Sequence, residues 1–103
     1  HMGLVSQVQI GEIKYLESEK NKYRYLCVSH GFLRVVHDGI VLLGYTLEQP
    51  KEIDVERAVK AQKLAEERLK ESFSDVSEFR KYELKLQRAL VRQQVAKRTS
   101  HGP

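Results

Sequence analysis

The side chains that could meet a charged ligand are concentrated near the C-terminal end. Residues 76–103 carry two acids and seven bases, residues 1–50 five of each, and residues 51–75 seven acids and six bases, so the net charge of +4 lies on the last segment. A cationic stripe of this kind suits nucleic acid, anionic lipid, nucleotide phosphates or an acidic protein partner. Catalytic chemistry has no comparable signal. There is no Gly-rich phosphate loop, no Ser-His-Asp logic and no metal-ligand spacing. His30, His37 and His101 read as isolated, so neither catalytic nor metal residues are expected. Cys27, the single cysteine, excludes an internal disulfide and fits a reducing compartment. Inside the apolar run Tyr25-Leu26-Cys27-Val28 it reads as a packed core thiol.

The elements that must position these residues fall on two sides of Pro50. Apolar residues make up 41% and charged residues 31% of the chain, an ordinary balance for a soluble domain. The longest apolar run, Ile40 to Leu43, is far short of a membrane span. Before Pro50 the apolar period is two. Val8 and Ile10, then Ile13 and Tyr15, alternate with polar residues, and their change of phase at Gly11 predicts a bulge. Glu17 to Lys22 is a polar turn, and Tyr23 to Ser29 is rich in β-formers. His30-Gly31 is expected to break the chain before a strand from Phe32 to Val36. Asp38-Gly39, a strong hairpin pair, leads into a strand from Ile40 to Tyr45. Strands in such quick succession leave no room for crossover helices, so the sheet is antiparallel.

Beyond Pro50 the period becomes about 3.6. Asp54 is a good N-cap, and Ala58, Ala61, Ala65 and Leu69 follow on one face. Glu56–Lys60 and Glu66–Lys70 have the spacing of supporting ion pairs. Ser72 to Ser77 reads as a turn. A second helix is expected from about Ser77 to Lys97, with Phe79, Tyr82, Leu86, Ala89, Leu90 and Gln93 along one side. Two such helices fold back as an αα-hairpin. Leu84, Val91 and Val95 form another stripe beside Arg88 and Arg92, a surface to dock on the sheet or on a partner. The fold class is therefore α+β: an antiparallel β-sandwich portion over residues 1–50, followed by a C-terminal αα-hairpin over residues 51–103. The sheet is thin for a two-layer sandwich, so a fragment is expected, or strands supplied by another chain. The exposed edge that remains would favour dimerisation or swapping.

Several strings in fixed order carry a more specific signal. Ser29-His30-Gly31-Phe32-Leu33-Arg34-Val35 is followed by a hairpin, by Leu47-Glu48, and then by Ile53-Asp54-Val55-Glu56-Arg57-Ala58. Later comes Glu83-Leu84-Lys85-Leu86-Gln87-Arg88-Ala89-Leu90-Val91-Arg92. In this order they resemble the epsilon subunit of bacterial F-type ATP synthase. Its pattern is a Ser-Gly-Gly-Phe-Leu-x-Val strand, a strand rich in Val, Ile and Leu, an Ala-Glu pair, and Ile-Asp-x-x-Arg-Ala opening a helical hairpin. The resemblance runs from roughly Leu4 to Ala96.

It implies a non-catalytic subunit of the central stalk whose sandwich touches the gamma subunit and the c-ring. The helical arm would switch between folded and extended forms, the extended one reaching the beta subunit and blocking ATP hydrolysis. The subunit would lie at the cytoplasmic face of the bacterial membrane, meeting the membrane only through the complex. No cofactor is required. In some members the folded hairpin binds ATP, and the matching positions here are Glu48, Asp54, Arg57, Arg88 and Arg92. Arg88 and Arg92 are i,i+4 neighbours that can point at one phosphate group. Departures from the pattern are Leu64 where ATP-binding relatives have a further arginine, Arg34 for a usual acid, and His30 for glycine. The last puts in question any need for a positive φ at that position. An alternative from charge alone is a single-stranded nucleic-acid-binding module, which would use Tyr23 and Tyr25 as an exposed stacking surface. The stop at Ser72 to Ser77 and the non-heptad spacing argue against a long coiled coil.

Overall fold

The computed structural model describes residues 5–37 and 39–103. Three strands form one antiparallel sheet in the order β1-β2-β3: β1 is Val5–Glu17, β2 Lys22–Val36 and β3 Gly39–Glu48. A short 3-10 turn at Pro50–Glu52 leads to α1 (Val55–Glu71) and α2 (Val76–Ala96). The α+β class and the αα-hairpin are as the sequence implied. Asp38, half of the expected hairpin pair, lies outside the described residues.

Two local expectations are corrected. No bulge forms at Gly11, because Ile10, Gly11 and Glu12 pair in step with Ser29, Val28 and Cys27. The phase change instead marks an exchange of the apolar face. Glu12 turns toward α2, where Gln94 and Arg98 donate to its carboxylate. Ile13, its neighbour, therefore falls on the opposite face. Nor does His30-Gly31 end a strand. β2 runs through it with His30 at φ 54°, and the register is the same before and after on both sides. The left-handed conformation thus persists without glycine. Histidine is among the residues enriched there.

Both helices start where a short acid can cap them. Asp54 Oδ1 accepts the Arg57 amide at 3.1 Å, and Asp75 Oδ1 accepts the Glu78 amide at 3.1 Å. The helices approach over small residues: Ala58, Ala65 and Ala89 are buried, and Gln93 Nε2 donates to Gln62 Oε1 across the seam at 2.8 Å. Ala61 and Leu90, expected in this seam, are exposed. The helix-surface ion pairs within reach are Arg68–Glu71 and Arg80–Glu83 rather than the two that spacing suggested.

The C-terminal part of the second stripe of α2, Val91 and Val95 without Leu84, docks on the sheet. Val95 is fully buried against Tyr25, Cys27 and Ile53, and Val91 and Ala96 pack around this cluster. Cys27 is the expected core thiol, and burial pushes its pKa up. At the far end of β2 and β3 the side chains of Phe32, Ile40 and Leu43 are exposed.

One tie between helix and sheet gives a pH prediction. Hydrogen bonds from Arg98 hold the Glu12 carboxyl below its usual range, against the opposing effect of its partial burial. A carboxylate depressed in the folded state stabilises it above the unfolded-chain value of about 4.3. That contribution is lost as pH falls through the folded value. Urea unfolding midpoints should therefore fall as pH is lowered below about 4.3, and fall less in Glu12→Gln. Equal acid dependence in the two proteins would remove Glu12 as the cause.

Candidate functional site

α1 and α2 diverge enough on one side of the alanine seam to leave a cleft of about 480 Å³. Ala61, Ala65 and Ala89 form its floor, and the space exists because these side chains stop at Cβ. Arg57 enters from the first turn of α1. Tyr82, Lys85, Arg88 and Arg92 enter from α2, where steps of three and four residues place them along one face.

The electrostatics are one-sided. No carboxylate lines the cleft. Arg92 is neutralised from behind: its Nε and Nη2 donate to Glu48 Oε1 and Oε2 at 3.0 and 2.8 Å, tying α2 to the end of β3. Both side chains are about four-fifths buried, with 18% and 21% exposed, so this bidentate pair is a fixed part of the wall. Among the described residues no carboxylate lies within ion-pair distance of Arg57, Lys85 or Arg88. The Lys85 ammonium lies 5.6 Å from the centre of the Tyr82 ring. The cleft therefore offers three uncompensated cations, an aromatic face and an apolar floor. Its chemistry suits a small anion with a flat apolar part, and its volume lies within the usual range of ligand pockets.

The five expected site residues separate by role. Arg57, Arg88 and Arg92 line the cleft, and Glu48 reaches it through Arg92. Asp54 stands at the entry of α1, where its carboxylate is engaged as the cap. Leu64 contributes an apolar wall. Lys85 and Tyr82 join the expected residues here, and the row Tyr82, Lys85, Arg88/Ala89, Arg92 at helical spacing carries the signal.

Tyr23 and Tyr25 do not form the open stacking surface that the nucleic-acid alternative needs. Tyr25 is buried, and both rings lie against His101, with centroids 5.5 and 6.0 Å away. Lys14 and Arg98 sit over them.

Comparison with known proteins places this architecture. Residues 51–97 match the family described as ATP synthase, Delta/Epsilon chain, long alpha-helix domain. The chain is similar to the ATP synthase epsilon chain of Geotalea daltonii, 38% identical over 96 residues that cover 93% of this chain and 68% of that protein. It is similar to that of Shouchella clausii, 37% identical over 97 residues covering 94% and 69%. With ATP synthase epsilon chain 2 of Syntrophotalea carbinolica it shares 36% identity over 102 residues, covering 99% and 72%. Similarity at this level runs through the sheet, the cleft and both helices, and the chain accordingly belongs to the ATP synthase epsilon chain family.

Proposed function

We propose that this chain works as a non-catalytic epsilon subunit of an F-type ATP synthase, with residues 1–50 seated on the central stalk and residues 51–103 forming a movable regulator of ATP hydrolysis. Its partners are the gamma subunit, the c-ring and, for the extended arm, the beta subunit. It lies at the cytoplasmic face of the bacterial membrane and joins the membrane through the complex. Among the described residues no helix is long and apolar enough to cross a membrane.

ATP is the proposed ligand of the hairpin cleft, and it favours the folded, non-inhibiting arm. The observation that carries this reading is the convergence of Arg57, Lys85 and Arg88 on one cleft without a neutralising acid. In this reading Arg57 and Arg88 meet the phosphates, Lys85 supplements them, and Tyr82 supplies a face for the base. Arg92 and Glu48 hold the wall, and Asp54 orients the first turn from which Arg57 departs. A ligand that binds only the folded hairpin stabilises it by about 2.7 kcal/mol at a hundredfold excess over Kd. That is enough to shift a hairpin whose helices meet mainly through alanines.

Calorimetric titration with MgATP tests the ligand. Heat of binding is expected from the unmodified chain, and Arg88→Ala should weaken affinity by about tenfold or more, the effect of removing a hydrogen-bonding cation from a charged ligand. Absence of heat from the unmodified chain removes the nucleotide site and leaves the stalk role standing. Co-purification with gamma subunit tests that role separately.

A further inference from the structure

The hairpin is fastened to the sheet at one end only. α1 packs on α2 and makes no substantial contact with the sheet among the described residues. The ties of α2 lie between residues 91 and 96: Val91, Val95 and Ala96 on the apolar cluster, Arg92 on Glu48, and Gln94 on Glu12. The apolar part of this contact is small, with one fully buried valine over a tyrosine, a thiol and an isoleucine.

The chain after the helix then returns to the sheet. The Arg98 amide donates to the Val95 carbonyl at 2.9 Å, and His101 forms an antiparallel bridge with Tyr23. In that bridge the Tyr23 amide donates to the His101 carbonyl at 2.7 Å, and the His101 amide donates to the Tyr23 carbonyl at 3.3 Å. His101 Nε2 lies 2.8 Å from the Tyr25 hydroxyl. Arg98 Nε and Nη2 donate to the two oxygens of Glu12 at 2.7 and 3.0 Å, and its guanidinium lies 5.3 Å from the centre of the Tyr25 ring.

We propose that residues 98–101 are a strap that holds α2 on the sheet, anchored at Glu12 of β1 and at Tyr23 and Tyr25 of β2, so that the hairpin leaves the sheet only once the strap is undone. Exposed ion pairs are individually weak. The strap works because its bonds share one short segment and must be lost together. It supplies the release step of the regulatory reading and rests on that reading for its use, but its test needs neither nucleotide nor partner.

Cys27 provides the reporter, because it is the only cysteine and lies 3% exposed in the cluster that Val95 covers. Its rate of reaction with an aromatic disulfide reagent, on the full chain at neutral pH, measures how often α2 lifts. A chain ending at Lys97 is expected to react at least tenfold faster than the unmodified protein. Arg98→Gln, which keeps the chain length and the Glu12 charge, should react severalfold faster. In both, the helical circular dichroism and the amide exchange of the β1–β2 hairpin should be unchanged. Rates within twofold of the unmodified protein in both variants would overturn the strap. So would a faster reaction matched by equally faster exchange throughout β1 and β2, which would make the tail a general stabiliser.

Discussion

Gly31→Ala is expected to destabilise the chain by about 3 kcal/mol, the upper range for forcing one methyl into a filled space. Gly31 lies in the central strand, paired with Val8 on one side and Gly44 on the other. A Cβ there would run into the Leu43 carbonyl oxygen and stand 3.0 Å from Gly44 Cα. Both obstacles are main chain, so no rotamer change relieves them, and β3 itself must move. Gly11→Ala is the control. A Cβ at Gly11 meets nothing within 4 Å, and relief of glycine's extra chain entropy should leave stability equal or raised by up to about 1 kcal/mol. Urea unfolding midpoints of the two variants should move in opposite directions or differ by this margin. A Gly31→Ala midpoint equal to the unmodified one would contradict the close approach of β2 and β3.

Val95→Asp should act on a different link, separating helix from sheet rather than melting either. Val95 is fully buried among Tyr25, Cys27 and Ile53, and none of these supplies a cation to a new carboxylate. Burying an unpaired charge costs at least about 3 kcal/mol unless the site opens. The less costly response is undocking of α2, which corresponds to a hundredfold or larger shift in that equilibrium. The α1–α2 seam, built from Ala58, Ala65, Ala89 and the Gln62–Gln93 bond, does not use Val95 and should persist. The expected result is a hundredfold faster reaction of Cys27 with most of the helical circular dichroism retained. A loss of helical signal in proportion to the gain in reactivity would show instead that docking and helix formation are one cooperative step.

The parts of this fold legible in the sequence are those set by neighbours in the chain. Asp54 announces a helix because its cap is three residues long, and the change of period at Pro50 locates the border between sheet and hairpin. The docking stripe of Val91 and Val95 was readable because a lone hairpin requires only one apolar face. The parts not legible depend on contacts between distant segments. A left-handed His30 within a continuous strand is fixed by strands on both sides, so the pair His30-Gly31 taken alone reads as a break. Glu48 and Arg92 are 44 residues apart, and no spacing rule joins them. Each reads as a ligand-binding position, while their bond to one another appears only when α2 lies on the sheet. Lys85 joins the cleft only once α1 is set beside α2. His101 read as isolated because a single bridge leaves no periodicity.

The twin aspartate caps have a mechanical consequence. Each rod owns the clamp at its beginning, worth about 1 kcal/mol. A change of angle between them would fall on the short joint from 72 to 75, where the Asp75 amide donates to the Ser72 carbonyl at 3.0 Å. Such a change would leave both limbs stiff, as in a carpenter's rule.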